Sequence, residues 1–343
     1  MTIDAMASRT RWKTRFGLLL ITAVLAVVWL ALEMRRFAET PMLLPQAPVE
    51  FSVQSGDGLN RLLPKLRAAG IVQGMDWQWK LLAQRMQMAG RIHVGNYAIA
   101  DRTTPVQLLE KLARGDTERV KFTLVEGRNF RQLLAELKAL PDLSDDISGK
   151  SAEAIMAQLG RAGVHPEGRF LPDTYFLNKG DATSAILQQA MSAMDAALAS
   201  AWAGRDSTIP LKSADELLIM ASIVEKETGI AEERAQIAGV FMRRLQKGMR
   251  LETDPTVIYG IGEAYDGDIR KKDLQTLTPY NTYRINGLPP TPIAMPGKAA
   301  LQATAHPAAG DALFFMASGD GGHVFSATYD AHRKAVADYL KKR

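Results

Sequence analysis

The first clear pattern along the chain is an uncharged apolar run near the N-terminus. Residues Phe16–Leu32 read FGLLLITAVLAVVWLAL, and a helix of this length, rising about 1.5 Å per residue, is just long enough to cross a membrane. Trp12 and Trp29 lie near its two ends, where aromatic residues anchor membrane helices. A buried core helix can show the same run, but these flanks favour a membrane span.

The charges around this run predict its orientation. Four basic residues precede it and two, Arg35 and Arg36, follow it, so the positive-inside rule places the N-terminus in the cytoplasm. A cleaved signal peptide would begin in the same way, but no pair of small residues suitable for cleavage follows Leu32. We therefore expect a cytoplasmic tail (1–15), a retained single span (16–32) and an extracytoplasmic body.

After the span the pattern changes twice. Three prolines in residues 33–48 predict a stiff linker. Beyond it, alternating residues predict strands at Val49–Val53 and Tyr97–Ile99, and helical spacing predicts helices over 59–66 and 76–89. The region 49–117 is thus expected to be a small βααβ subdomain, with a further helix at 104–113.

The remainder, 118–343, is predicted to be a second, larger domain. A strand at 120–125 and a helix at 130–140 open it, and the segment PEGRFLPDTY (166–175) is too rich in Pro and Gly for regular structure. The capping box Ser213-x-x-Glu216 starts a helix that continues to about Thr228, and helices at 232–247 and from Asp254-Pro255 follow. The predicted fold class is α+β.

Composition and charge limit the class of protein. Of the 343 residues 47% are hydrophobic and 23% charged, which is ordinary for a folded protein. The net charge is +5, but +3 of it falls in residues 1–15, and the body has no basic stripe interleaved with aromatic residues. Nucleic acid is therefore not an expected partner. The absence of cysteine excludes disulfides, thiolate metal sites and a cysteine nucleophile.

The helix after Ser213 carries the main candidate for chemistry. Glu225 lies one turn beyond Ala221 and two beyond Leu218, so it shares a mostly apolar stripe, and desolvation there raises a carboxyl pKa as a general acid requires. Glu227 lies about 200° further round the helix and is expected to point elsewhere. On spacing alone, both could equally be solvated helix-end residues paired with Lys226 or Arg234.

Other chemistries find little support in the sequence. The five histidines form no HExxH motif, and neither a GxSxG elbow nor a Walker loop occurs, so no metal or cofactor is expected. His306 and His323, taken alone, are more typical of structural histidines. The segment TPYNTY (278–283) combines aromatic faces with amide and hydroxyl groups, as sugar-binding loops do, but alone it reads as a loop.

Several motifs taken together give the chain a family resemblance. It resembles the YceG-like (MltG-type) endolytic murein transglycosylases of bacteria over nearly its whole length. The segments that carry the resemblance are EGRFLPDTY (167–175), ASIVEKE (221–227), TDPTVIYG (253–260), YNTY (280–283), GLPP-x-x-I-x-x-PG (287–297) and AHPA (305–308). Thr291 and Met295 depart from the family pattern, which more often has Gly and Asn there.

This resemblance implies a LysM-like subdomain followed by a lysozyme-like catalytic domain. It places the catalytic glutamate at Glu225 and the substrate-binding residues at Glu227, Asp254, Tyr280, Asn281, Thr282, Tyr283 and His306. Such an enzyme, in the inner membrane, would cut the MurNAc–GlcNAc bond of glycan strands to leave 1,6-anhydroMurNAc ends and limit the growth of nascent strands. Its partners would be peptidoglycan, the membrane and the peptidoglycan synthases (penicillin-binding proteins).

Two other functions fit the same sequence. A non-enzymatic, membrane-anchored scaffold would bind glycan through the LysM-like subdomain. A hydrolytic muramidase would use a second carboxylate, for which Asp254 is the best candidate.

Overall fold

The computed structural model describes residues 3–44, 46–88 and 90–342. The chain separates into two compact units. Unit 1 comprises Met1–Arg119 with Asn178–Gly180, and unit 2 comprises Val120–Leu177 with Asp181–Arg343. The chain contains both helices and strands, so the mixed class expected from the sequence is confirmed at that level.

The first helix of unit 1, α1, spans Ile3–Glu39. Its part from Leu18 to Glu39 is long and apolar enough to cross a membrane. The side chains from Leu18 to Leu32 are exposed, whereas Met34, Phe37 and Ala38 in the last turns are buried in the core of unit 1. The side chains of the predicted tail (1–15) and of Phe16 lie outside the described residues.

The rest of unit 1 has the βααβ order predicted from the sequence, followed by one helix. Its elements are β1 (Val49–Val53), α2 (Leu59–Ala68), α3 (Asp76–Arg85), β2 (Gly95–Ile99) and α4 (Pro105–Arg114). Strands β1 and β2 pair antiparallel with Phe51 opposite Tyr97, and the two rings stack with centroids 5.7 Å apart.

The junction between α1 and this subdomain is packed. The predicted linker (33–48) contains the last turns of α1, and Met42 and Leu44 beyond the helix are buried with its C-terminal residues. Phe37 packs edge to face on Trp79 of α3, with ring centroids 5.3 Å apart. The apolar helix therefore enters the core of unit 1 directly.

Unit 2 contains most of the helices. Its elements are β3 (Arg119–Thr123, whose first residue belongs to unit 1), α5 (Phe130–Lys138), α6 (Ala152–Gln158), β4 (Thr174–Asn178, whose last residue belongs to unit 1), α7 (Thr183–Gly204), α8 (Ala214–Glu227), α9 (Ala231–Gln246), α10 (Asp254–Ile261), a 3-10 turn (Gly262–Ala264), α11 (Lys271–Gln275), α12 (Lys298–Ala305), β5 (Phe314–Ala317), β6 (His323–Ser326) and α13 (Tyr329–Lys342). Strand β3 pairs with β4, and β5 pairs antiparallel with β6.

Helix α8 lies at the centre of unit 2. The Ser213 hydroxyl accepts the Glu216 backbone N–H at 3.2 Å, which is the predicted cap, and every residue from Leu217 to Val224 is buried. Helices α7, α9, α10 and α12 pack around it. Because α8 ends at Glu227, where Thr228 turns to an extended conformation, its last carboxylates emerge at the edge of the core.

The AHPA segment joins α12 to α9. The Ala308 N–H donates to the Ala235 carbonyl at 2.8 Å, and the Ala308 carbonyl accepts from the Arg243 guanidinium at 3.0 Å. At Gly239 the two backbones approach so closely that a Cβ would lie 2.4 Å from the Ala308 oxygen. This motif therefore packs one element on another.

Candidate active site

Glu225 lies on the side of α8 that faces the start of α12. Its carboxylate is half-buried and accepts the Gly297 backbone N–H at 2.9 Å. The Glu126 carboxylate is close by, since a Cβ on Gly297 would lie 2.5 Å from it. Burial raises the pKa of Glu225, and the negative charge of Glu126 adds to this, while the Gly297 N–H and Arg234 oppose it.

Glu227 points in a different direction, as its helical spacing predicts. Its half-buried carboxylate accepts a short hydrogen bond from the Thr253 hydroxyl, just before α10. Burial raises the pKa of Glu227 to about 7; the Thr253 hydroxyl opposes this shift and the nearby charge of Asp254 adds to it. A carboxyl with this pKa can hold and release a proton at neutral pH.

Glu227 opens into a cavity of about 450 Å³, here called the Glu227 cavity. Its polar lining includes Asp254, Tyr283 and His323, and its aromatic lining includes Phe314 and Tyr329. The Tyr283 hydroxyl donates to Asp254 at 2.7 Å. The cavity thus combines a titratable carboxyl, a second carboxylate and aromatic faces.

Two predicted binding residues do not line this cavity but hold the loop that forms part of its wall. The buried Asn281 amide donates to the carbonyls of Asp273, Leu274 and Thr276, at 3.0, 3.1 and 2.6 Å. The buried Thr282 hydroxyl accepts the Thr253 N–H at 3.0 Å and lies 2.8 Å from the Thr256 hydroxyl. Both residues fix the loop that carries Tyr280 and Tyr283.

His323 is fixed at another wall. Its Nδ1 lies 2.6 Å from Oε2 of Glu233, and its backbone N–H donates to the other oxygen of that carboxylate at 2.9 Å. The buried Arg244, which also lines the cavity, donates to the Leu251 and Leu313 carbonyls at 3.0 and 2.7 Å. These contacts hold β5, β6 and the segment before α10 around Glu227.

A second cavity of about 580 Å³ lies on the other side of α10. It is lined by Lys226, Tyr259 and Tyr280, and also by Glu167, whose residue exposure is only 3%. The Phe130 N–H donates to both oxygens of Glu167, at 3.0 and 3.2 Å, and the Tyr259 hydroxyl donates at 3.0 Å. Burial raises the pKa of Glu167 to about 7 despite these donors. Glu167 opens the motif EGRFLPDTY, but the sequence did not predict it as a site residue.

His306 lies apart from both cavities. It is exposed at the C-terminal end of α12, and Asp206 is its charged neighbour. Among the described residues it lines neither the Glu227 cavity nor the second one. Within the same residues, no group of three or more His, Cys, Asp or Glu side chains is arranged to hold a metal ion.

The surroundings of Glu227 are the part of the site that the sequence predicted least. Helical spacing shows that it diverges from Glu225, but its surroundings come from residues 251–254, 283 and 314–332, which are remote in the sequence. The motif TDPTVIYG gave a signal for these surroundings, since its first two residues, Thr253 and Asp254, meet Glu227 in the folded chain.

A carboxyl that titrates near neutrality in an open, aromatic-lined cavity defines a site for general acid and base chemistry. The chain belongs to the YceG-like family, whose model matches residues 51–338. The family predicted from the sequence motifs is therefore confirmed.

Relatives with known names agree with this family. The chain is 37% identical over 253 residues to the endolytic murein transglycosylase of Bacillus subtilis (strain 168), covering 69% of this chain and 70% of that one. It is 31% identical over 289 residues to the endolytic murein transglycosylase of Streptococcus pneumoniae D39, covering 74% of this chain and 51% of that longer one. The crystal structure of a yceG-like protein from Listeria monocytogenes is similar with a TM-score of 0.53 and 28% identity, covering 84% of this chain and 99% of that one.

Proposed function

We propose that this chain is an endolytic murein transglycosylase that cleaves the MurNAc–GlcNAc bond of peptidoglycan strands and leaves 1,6-anhydroMurNAc ends. The observation that carries the proposal is the Glu227 cavity, where a half-buried carboxyl with a pKa of about 7 faces aromatic and polar side chains. The names of the relatives support the same activity.

The reaction requires two proton transfers and no water. The protonated carboxyl gives its proton to the glycosidic oxygen as the bond from C1 to that oxygen breaks. The resulting carboxylate then takes the proton from the C6 hydroxyl of MurNAc while the oxygen of that hydroxyl bonds to C1 and closes the anhydro ring. The carboxyl is restored, so one residue serves both steps.

Two residues compete for this role. The sequence places it at Glu225, which has a raised pKa but accepts the Gly297 N–H and lines neither of the two cavities among the described residues. Glu227 has a pKa near 7 and lies in a cavity. We therefore assign the acid and base role to Glu227 and a positioning role to Glu225.

The remaining assignments follow from contacts in the Glu227 cavity. Asp254 and Tyr283, joined by a hydrogen bond, are placed to bind sugar hydroxyls beside Glu227, and Tyr280 is placed to do so in the second cavity. Asn281 and Thr282 act through the loop that they fix. Within the same proposal, unit 1 with its βααβ order is a LysM-like glycan-binding subdomain, unit 2 is the lysozyme-like catalytic domain, and α1 anchors the chain in the inner membrane near the synthases.

Matched glutamine variants test the assignment. The detergent-purified full chain, Glu227→Gln and Glu225→Gln would be incubated with purified sacculi, and released anhydro-muropeptides would be measured by mass spectrometry. General acid and base assistance is worth about 10²- to 10⁴-fold, so Glu227→Gln should lose at least that much activity, while Glu225→Gln should keep more. Thermal melts control for folding.

Each outcome decides between the candidates. A large loss confined to Glu225→Gln would restore the role predicted from the sequence. Reducing-end products in place of anhydro ends would favour a hydrolase in which Asp254, in the same cavity, activates water. Release by neither the parent nor the variants would leave the scaffold function.

A further inference from the structure

An apolar groove in unit 1 runs along the helix proposed to cross the membrane. Its volume is about 1020 Å³. One wall is α1 from Val27 to Glu39, and the other is formed by α3 and α4 through Leu81, Arg85, Met86, Val106 and Glu110. The groove therefore begins within the apolar span and ends beyond it.

The exposed face of α3 carries large apolar side chains beside the polar Lys80 and Gln84. Trp77, Leu81 and Arg85 recur every four residues and so form one stripe, and the exposures of Trp77 and Leu81 are 43% and 41%. Exposed helix faces are ordinarily polar. A stripe of tryptophan, leucine and arginine is instead typical of helices at the boundary between lipid and water.

The height of the groove relative to the span follows from α1 itself. Val27 and Val28 belong to the apolar run and are 65% and 49% exposed, while Arg35, paired with Glu39 at 3.2 Å, lies about two turns further on. If the apolar run lies in hydrocarbon, these charged residues lie at the level of the lipid head groups. The packing of Phe37 on Trp79 holds α3 at that same level.

We propose that this groove binds a phospholipid of the outer leaflet, with its acyl chain along Val27–Leu32 and Leu81 and its phosphate near Arg35 and Arg85. Two observations commit the site to lipid. The groove is continuous with the surface of the apolar span. Its outer end carries two arginines and two glutamates, and these mixed charges match the phosphate and the amine of a zwitterionic head group: Arg35, Arg85, Glu39 and Glu110. The proposal rests on the membrane anchoring proposed above.

The chain has no cysteine, so single cysteines can be labelled without background. Leu81→Cys would carry a fluorescent label in full-length protein reconstituted into vesicles of phosphatidylethanolamine and phosphatidylglycerol, three to one. Some vesicles would contain lipids with a nitroxide quencher high or low on the acyl chain. Val94→Cys is the matched control, because Val94 is an apolar residue of unit 1 with 55% exposure that does not line the groove. Val24→Cys, at the centre of the predicted span, reports insertion.

The expected result is loss of Leu81 fluorescence with the quencher high on the chain, loss of Val24 fluorescence with the quencher low on it, and little loss at Val94. If Val24 is quenched and Leu81 is not, the lipid site is wrong although the anchor stands. If Val24 is not quenched, the anchor itself fails. Equal quenching at Leu81 and Val94 would show adsorption of the whole subdomain, and cross-linking of Leu81→Cys into dimers would show a second copy in the groove; either result overturns the proposal.

Discussion

The pKa of Glu227 determines how cleavage should depend on pH. The first step needs the protonated carboxyl, so kcat/KM should fall above a pH of about 7, by about tenfold per pH unit. Initial rates on sacculi between pH 5 and 9 would show this limb. Glu167→Gln is the control for the other carboxyl whose pKa is about 7, and it should leave the limb in place. A limb near pH 4.5 would mean that an unperturbed carboxyl is the acid.

Glu167 should affect stability rather than the rate of cleavage. Its pKa is about 7 when folded and near its ordinary 4.5 when unfolded. Its contribution is therefore fully present below pH 4.5 and is lost as pH rises through 7, by about 3 kcal/mol at most. Denaturant melts of the parent and Glu167→Gln from pH 4 to 8 would measure the difference in the free energy of unfolding. A difference that does not change with pH would contradict this account.

At the level of single residues, the sequence predicted the directions of side chains on a helix better than the residues that surround them. Two positions along α8 are about 200° apart, and Glu225 and Glu227 do meet different partners, Gly297 and Thr253. Which of them borders a cavity depends on chain segments far away in sequence. Likewise, the aromatic and polar residues of YNTY indicated sugar contacts, yet the Asn281 amide donates its hydrogen bonds to three backbone carbonyls.

At the level of elements, the contact of α9 with the AHPA segment predicts whether replacing Gly239 by alanine raises or lowers the free energy of unfolding. Helix propensity favours alanine over glycine inside a helix by about 1 kcal/mol. At Gly239, however, the new Cβ would lie 2.4 Å from the Ala308 backbone oxygen, which cannot move aside like a flexible side chain. Gly239→Ala should therefore lower the free energy of unfolding by about 1 to 3 kcal/mol.

Gly204→Ala is the matched control for this substitution. Gly204 is the last residue of α7, and nothing lies within 4 Å of its Cβ position. The change should be neutral or stabilise by up to about 1 kcal/mol. Chemical denaturation of both variants is the measurement, and a stabilised Gly239→Ala would show that the two backbones are not in close contact.

Elements with a strong contrast between apolar and polar faces were predicted closely. The predicted strand at Val49–Val53 is β1. At the start of α8 the Ser213 hydroxyl caps the helix as predicted, but the Glu216 carboxylate accepts the Lys212 N–H, so the second bond of the predicted capping box is replaced by a neighbouring one. The long helix α7 was not predicted, because its sequence is rich in alanine and small side chains give weak contrast between faces. Hairpin β5–β6 was also missed, since its strands have only four residues each.

For the whole molecule, the proposed topology has a direct test. The N-terminus should be cytoplasmic and the C-terminus extracytoplasmic, because four basic residues precede the span and two follow it. Alkaline phosphatase fused after Arg343 should therefore be active in cells. A fused reporter that fluoresces only in the cytoplasm should stay dark; the reverse pattern would exclude access to the cell wall.

Helix α1 passes from its apolar part into the core of unit 1 without an intervening loop. A flexible tether would let a domain wander over a distance that grows with the square root of its length, whereas each helical residue adds about 1.5 Å of height and about 100° of rotation. Once α1 is anchored, unit 1 would have one fixed distance from the bilayer and one fixed orientation about the axis of the helix. If unit 1 binds glycan as proposed, it would reach only a thin layer beside the membrane, so distance from the bilayer would select among strands before any side chain contacts a sugar.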